Sequence, residues 1–248
     1  MFADNIIILE SATSTNAVAQ QMLQSNKMPE GSVIITHHQT NGKGLGTNAW
    51  ESEPRKNLTF SIVLYPTVSI EAQFYLNKSI ALGIYDYVKA EAGMGTVKIK
   101  WPNDIYVNRK KICGILIENA INSTHIEHCI VGIGININQQ IFLSNAPNPV
   151  SLSNITGKTY NLDCELHKVL NFIEKRYINF GRKKYDEINN EYVSCLFRLN
   201  EMHDYIIHEK TVKASITGVT KYGALLLTDT AGKTWECGVK EIRFLLGT

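Results

Sequence analysis

Four short apolar runs between residues 97 and 138, separated by turn residues, commit the middle of the chain to a sheet. They are Val97-Lys98-Ile99-Lys100, Ile105-Tyr106-Val107, Ile112 to Ile117 and Cys129 to Ile135. Strands that follow one another across short turns pair as an antiparallel or mixed sheet. Two of these runs carry glycine where a packed strand would carry a side chain: Gly114 in one, Gly132 and Gly134 in the other. Glycine weakens a strand interior, and the simplest compensation is that a ligand lies against the backbone there. Gly132 and Gly134 face one side, with Asn136 at the strand's exit. One face of the sheet is therefore expected to be left clear.

The flanking sequence supplies the rest of an α+β fold, a mixed or antiparallel sheet flanked by helices. Ile6 to Leu9 is a short strand, and Thr13-Ser14-Thr15-Asn16 offers several N-cap residues before a helix bearing Val18, Met22 and Leu23. Ser32 to Thr36 and Asn57 to Leu64 are two further strands. Leu76, Ile80, Ile84 and Val88 recur every four residues, which predicts a helix from about 70 to 91, ended by Gly93 and Gly95. Residues 139 to 160, including Asn145-Ala146-Pro147-Asn148-Pro149, read as an irregular surface segment. Leu166, Val169, Leu170, Ile173, Tyr177 and Phe180 mark one face of a second long helix, with Lys175, Lys183 and Lys184 outward. Beyond residue 202, short β segments (Tyr205 to Ile207, Val212 to Val219, Gly223 to Thr228, Lys233 to Cys237) suggest a small barrel of roughly 45 residues. The expected division is 1–200 for the larger domain and 201–248 for the β appendage.

Charge and cysteine content exclude several classes of function. The formal charge is +2, from 25 Lys and Arg against 23 Asp and Glu, so nucleic acid is not expected as the main partner. Cys113, Cys129, Cys164, Cys195 and Cys237 are odd in number and form no Cys-x-x-Cys pair, which argues against a disulfide framework or a zinc site. The N-terminus lacks the pattern of a signal peptide, and no apolar run approaches the ~20 residues needed to span a bilayer. A cytoplasmic protein without a membrane partner is expected.

Gln39 to Trp50, Gln-Thr-Asn-Gly-Lys-Gly-Leu-Gly-Thr-Asn-Ala-Trp, has the composition of an anion cradle between two strands. Glycines at 42, 44 and 46 leave backbone N–H groups unshielded, and Lys43 adds positive charge. An ordinary hairpin turn has the same composition, and neither a Walker loop nor a dinucleotide fingerprint is present. Lys100-Trp101-Pro102-Asn103-Asp104 joins two strands. Its Asn103 amide can read an adenine-like edge and its Asp104 carboxylate can order a neighbour, although Pro-Asn-Asp is also good turn chemistry. Lys111 opens the strand that contains Gly114.

Taken together, Ser14-Thr15-Asn16, Gln39 with Gly42-Lys43-Gly44, Trp50, Asn57-Leu58, Lys-Trp-Pro-Asn-Asp, Lys111 with Gly114 to Glu118, and Gly132 to Asn136 resemble the biotin protein ligase family in order and spacing. The likeness covers residues from about 8 to 140. More loosely, Tyr222 to Leu227 is similar to the pattern of the family's C-terminal barrel. The chain begins almost at the catalytic domain, so the resemblance is to the monofunctional type without a DNA-binding domain. It implies a class II synthetase-like catalytic domain with an SH3-like barrel.

The implied reaction has two steps. Biotin's carboxylate attacks the α-phosphate of ATP, and a lysine of a biotin carboxyl carrier protein then attacks the mixed anhydride. Carried over by position, Ser14, Thr15, Asn16 and Gln39 would hold the ureido ring and its surroundings. Gly44, Leu45, Gly114 and Leu116 would line the rest of the biotin site. Lys111 and Lys43 would be the catalytic cations, and Trp50, Asn103, Asp104 and Asn136 would join them around the adenylate. ATP brings Mg²⁺, held largely by phosphates and water, so no protein residue is assigned to metal. Oligomeric state is left open, a homodimer included.

The glycine loop departs from the family. Lys43 and Leu45 stand where many members have arginines, and Thr47 and Asn48 stand at the next Gly and Arg positions. Lysine lacks arginine's bidentate fork and leucine has no charge, so the adenylate is expected to escape more readily. A lipoate ligase or octanoyl/lipoyl transferase is the nearest alternative, and a noncatalytic ligand-binding adaptor the next. Polar Ser14-Thr15-Asn16 with Gln39 favours a ureido ring over an aliphatic tail.

Overall fold

The computed structural model describes residues 2–25, 28–144 and 148–246. Its strands are β1 (Ile6–Leu9), β2 (Val33–Thr36), β3 (Gly42–Lys43), β4 (Ala49–Trp50), β5 (Leu58–Leu64), β6 (Val97–Lys100) and β7 (Asp104–Val107). They continue with β8 (Lys110–Asn122), β9 (His125–Ile135), β10 (Met202–Ile207), β11 (Lys210–Val219), β12 (Leu225–Asp229), β13 (Thr234–Cys237) and β14 (Ile242–Phe244). The helices are α1 (Thr15–Ser25), α2 (Gln73–Glu91), α3 (Leu152–Thr156), α4 (Leu162–Gly181) and α5 (Tyr185–Ser194). The main sheet has seven strands in the order β1-β2-β5-β9-β8-β7-β6. It is mixed: β1 and β2 are parallel, and the other neighbours are antiparallel.

The alternation of residues along β5 and β9 divides the work between the two faces of this sheet. Leu58, Phe60, Ile62 and Leu64 share one core with Cys129, Val131, Ile133 and Ile135, under α2 and α4. Burial of each large aliphatic or aromatic side chain there stabilises by about 1.5–3 kcal/mol, so this face carries most of the fold's stability. The opposite face holds Thr59, Ser61, Gly132 and Gly134. Its apolar part is confined to a smaller cluster of Ala19, Met28, Ile34, Val63 and Ile130 beneath α1. The face that packs least is the one on which chemistry is possible.

Several expectations need correction. The C-terminal strands form an antiparallel sheet in the order β13-β12-β11-β10-β14, consistent with an SH3-like fold, but among the described residues no pairing between its edge strands closes a barrel. Residues 139–160 are not wholly irregular. Ser151 and Asn154 exchange side-chain and backbone hydrogen bonds and start α3, which Gly157 ends in the left-handed region at φ 71°. Asn145-Ala146-Pro147 lies outside the described residues. Lys183 and Lys184 are not simply a solvated helix face: Lys183 breaks the chain at φ 58°, and α5 follows with only Ile188 and Tyr192 buried, too sparse a stripe to be read from sequence. The five cysteines are free, Cys164 exposed and the others buried. Among the described residues, no helix is long and apolar enough to cross a membrane.

Candidate active site

Two cross-strand rows on the open face of the main sheet build the site. The first is Ser61–Gly132–Leu116. Asn16, near the start of α1, reaches down onto this row, and an added Cβ at Gly132 would lie 2.4 Å from Asn16 Oδ1. Asn16 Nδ2 donates to Glu118 Oε2 at 2.7 Å and to the Leu116 carbonyl at 3.3 Å. Ser61 Oγ stands 2.6 Å from Asn16 Oδ1 and 2.7 Å from Thr15 Oγ1. Ser14, Thr15 and Asn16 are all buried. They do not cap α1 in the way the sequence suggests. The Thr15 N–H is instead satisfied by Gln39 Oε1 at 3.0 Å, which frees the side chains of Thr15 and Asn16 for the sheet.

The second row is Thr59–Gly134–Gly114–Asp104. The indole of Trp50 lies across its two glycines: an added Cβ would meet Trp50 at 2.3 Å from Gly134 and at 3.2 Å from Gly114. The expectation of a clear glycine face is therefore corrected. Trp50 and Asn16 occupy the space that the glycines leave. Buried Trp50 Nε1 has no hydrogen-bond partner.

Lys111 reaches this face because of a β-bulge. Ile105 pairs with Cys113 but Tyr106 with Lys111, so β8 carries one extra residue there. Ile112 and Cys113 then both enter the core, and the parity of Lys111 changes to match that of Gly114. Lys111 Nζ is 2.7 Å from Asp104 Oδ1 and 5.8 Å from the centre of a Trp50 ring. Its backbone is clamped as well, its N–H donating to Asn148 O at 2.8 Å and its carbonyl accepting from Val150 N–H at 2.9 Å. Asn136 supports this clamp, since Nδ2 donates to Val150 O at 3.1 Å, while buried Asn136 Oδ1 has no partner. Burial pulls the Lys100 ammonium below its ordinary range; Asp104 opposes the shift, and Lys111 and Arg198 add to it. Cys113 is fully buried, which pushes its thiol up and makes it a poor nucleophile.

The glycine stretch folds as a hairpin, with Gly42 paired to Trp50 and Lys43 to Ala49. Gly44 N–H donates to Asn48 O at 2.7 Å, and Gly46 turns the chain at φ 67°. Lys43 is exposed and Leu45 half-buried. The chain beyond is tied down by Glu51, whose carboxylate accepts from the Leu143 and Ser144 N–H groups at 2.8 and 2.7 Å. Burial raises the Glu51 pKa, but those N–H groups and Gln139 outweigh it and leave it below the usual carboxylate range. Gln139 also joins Asn57 at 2.6 Å.

Most of the residues singled out in the sequence thus meet on one face, with three qualifications. Asn103 donates to Ile115 O at 2.6 Å, so that part of its amide holds the turn to β8. Trp101 Nε1 donates to Gly223 O at 2.9 Å, which ties the same turn to the C-terminal sheet. Ser61 and Glu118 join this cluster without a role assigned from the sequence, although Thr59 and Ser61 interrupting an apolar run, and Glu118 sharing the parity of Gly114, carry that signal. Among the described residues, no three His, Cys, Asp or Glu side chains are grouped to hold a metal.

Comparison with known proteins gives the family of the chain. A family model described as biotin/lipoate A/B protein ligase matches residues 8–136. The bifunctional ligase/repressor BirA of Bacillus spizizenii is 31% identical over 185 residues, covering 73% of this chain and 56% of its own length. The chain thus spans little more than half of the first curated relatives it matches. The biotin--[acetyl-CoA-carboxylase] ligase of Paracoccus denitrificans is 26% identical over 239 residues, covering 91% of this chain and 95% of its own. The structure of biotin protein ligase from Aquifex aeolicus in complex with biotin and ATP superimposes with a TM-score of 0.79 at 27% identity, covering 97% of this chain and 99% of that one. With more than half its length inside the family model, the chain belongs to the biotin/lipoate A/B protein ligase family.

Proposed function

We propose that the chain activates biotin with ATP and transfers it to a lysine of a biotin carboxyl carrier protein. The observation that carries this is the presence, on one sheet face, of a buried polar cluster of Thr15, Asn16 and Ser61 together with Lys111. Thr15, Asn16, Ser61 and Gln39 form a polar cluster already bonded within itself, whose remaining hydrogen-bonding capacity suits a ureido ring and would go unused against an aliphatic tail. The relatives support the same ligands, since the Aquifex aeolicus enzyme was solved with biotin and ATP.

In the first step, a biotin carboxylate oxygen bonds to the α-phosphorus, and the bond to the bridging oxygen of pyrophosphate breaks. Two anions must approach, so fixed positive charge is required where charge develops. Lys111, held by Asp104 and by its clamped backbone, is assigned this role, which its ion pair and fixed backbone support. Exposed Lys43 is the hairpin's cation assigned to the phosphates. Trp50, Asn103, Asp104 and Asn136 surround the nucleoside, where unpartnered Trp50 Nε1 and Asn136 Oδ1 are available to a ligand. Mg²⁺ would arrive on the triphosphate, held largely by phosphate and water. In the second step, the carrier's lysine amine attacks the acyl carbon, AMP leaves and an amide forms.

The test is transfer to an isolated carrier domain, read by mass. The expected result is one biotinyl group added in the presence of ATP, and none when the carrier lysine is replaced by arginine. Lipoyl transfer in place of biotinyl would select the alternative reading within the same family.

A further inference from the structure

Lys78, in the middle of α2, is a buried cation without a carboxylate. It is fully buried, and among the described residues its hydrogen-bond partner is the amide oxygen of Asn189 on α5, at 2.7 Å. Lysine is almost never fully buried unless paired, and a leucine or methionine would fill the same space without the desolvation cost. Three rings compensate for the missing acid. The centroids of Phe74, Tyr75 and Tyr192 lie 5.2, 5.0 and 5.7 Å from Lys78 Nζ. Phe74 and Tyr75 stand one turn before Lys78 on α2, and Asn189 and Tyr192 one turn apart on α5, so both helices share the ammonium.

Two of these rings lead to the turn between β6 and β7. Phe74 meets Tyr192 edge-on, at 6.3 Å and 83°. An added Cβ at Gly223 would lie 2.4 Å from Phe74, so the backbone of the C-terminal sheet rests on that ring. The carbonyl of the same Gly223 accepts from Trp101 Nε1 at 2.9 Å. Tyr192 Oη donates to the Pro102 carbonyl at 3.4 Å. Next in the chain come Asn103, which donates to Ile115 O, and Asp104, which pairs with Lys111.

We propose that Lys78 is a positioning residue whose caged ammonium, drawing Phe74 of α2 and Tyr192 of α5 together, sets the Trp101–Asp104 turn on which nucleotide binding depends. It acts at a remove, through Tyr192 on Pro102 and through Phe74 and Gly223 on Trp101. The nucleotide half rests on the proposed reading of Asn103 and Asp104 as contacts of the adenylate.

The charge can be removed without changing a heavy atom. Burial pulls the Lys78 ammonium down to about 8, so it is charged below that pH and neutral above it. The titratable groups on the elements around it are Tyr75 of α2, Tyr185 and Tyr192 of α5, and Lys221 with Glu71 beyond Tyr75. Arg176, Asp86 and Glu191 pair with one another at the adjoining contact of α2, α4 and α5. Burial raises the Tyr185 and Tyr192 hydroxyls and the Tyr222 contact raises Lys221, so these titrate at higher pH than Lys78.

The experiment follows the assigned Trp101 indole N–H resonance of the full chain through a pH titration, beside the KM values for ATP and biotin in pyrophosphate exchange. In the wild type the resonance should shift with a midpoint near 8, and in Lys78→Met that shift should be absent. At neutral pH, Lys78→Met should raise the KM for ATP by about fivefold and leave that for biotin within about twofold. The two proteins should converge above pH 8, where the wild type has lost the same charge. A merely structural role would raise both KM values and keep their ratios to wild type constant with pH. Tyr192→Phe keeps the ring but removes the donor to Pro102, and should give the same ATP-selective rise at about threefold. It decides the matter together with the wild-type titration if Lys78→Met fails to fold. A wild-type indole resonance that does not titrate near 8, or a folded Lys78→Met with the wild-type KM for ATP, overturns the proposal. No exchange in the wild type overturns the nucleotide half together with the functional reading, and the resonance still decides the hold on the turn.

Discussion

The two ends of the proposed ligand would meet very different parts of the molecule. At the ureido end, Thr15, Asn16, Ser61, Gln39 and Glu118 are joined by short hydrogen bonds before any ligand arrives, and Ser14, Thr15, Asn16 and Ser61 are buried. At the phosphate end, a two-residue hairpin carries an exposed Lys43 and a half-buried Leu45, and is fastened chiefly beyond the turn, through Glu51. The first region is preorganised, so its selectivity is built into the fold. The second is held by the short hairpin pairing and by Glu51 beyond it, and leaves Lys43 exposed. Recognition of the acid is thus predicted to be strict and retention of the adenylate loose.

The largest expected effect lies between the two ends. Lys111→Ala should lower biotin-dependent ATP–pyrophosphate exchange by about 10²–10³-fold with an unchanged circular dichroism spectrum, as expected when a fixed charge at developing charge is removed. Unchanged exchange would remove Lys111 from the chemistry. Next, Gly132→Ala attacks the preorganised end. Forcing a methyl group against Asn16 should cost about 1–3 kcal/mol and weaken biotin binding by roughly tenfold or more, with a smaller effect on ATP. Equal loss of both ligands would show that the two ends are not independent.

At the loose end, Leu45→Arg should slow release of the adenylate by several-fold, as about 1 kcal/mol from a new partly exposed ion pair allows. Release at the wild-type rate would mean that the hairpin's missing arginines are immaterial. The smallest effect concerns Glu51. Its folded pKa is lowered, so its contribution is fully present above the ordinary carboxylate pKa of 4.5 and is lost as pH falls through the lower folded value. Protection of segment 139–144 from hydrogen exchange should therefore fall on acidification below that value, and Glu51→Gln should show the loss already at neutral pH.

The two ends also differed in how far they could be read from sequence. Gly114, Gly132 and Gly134 announced a special face correctly, because a strand interior without side chains has to be compensated. Sequence could not say that the compensation is Trp50 and Asn16, since both come from elements distant along the chain. The parity of Lys111 was equally hidden: it depends on one extra residue in β8, which only pairing with β7 reveals. Ser61 and Glu118 were visible as polar breaks in apolar runs, but their partnership with Asn16 spans 45 and 102 residues of sequence. The segment clamping Lys111 was read as irregular, because a parallel bridge of Lys111 to Pro149 leaves no periodic signature.

The comparison between a strict acid site and a loose phosphate site is tested most directly by ATP–pyrophosphate exchange measured side by side with biotin, lipoate and octanoate. Exchange should appear with biotin and be absent with the two acids that lack a ureido ring. Exchange of similar rate with lipoate or octanoate, or none with biotin, would contradict it.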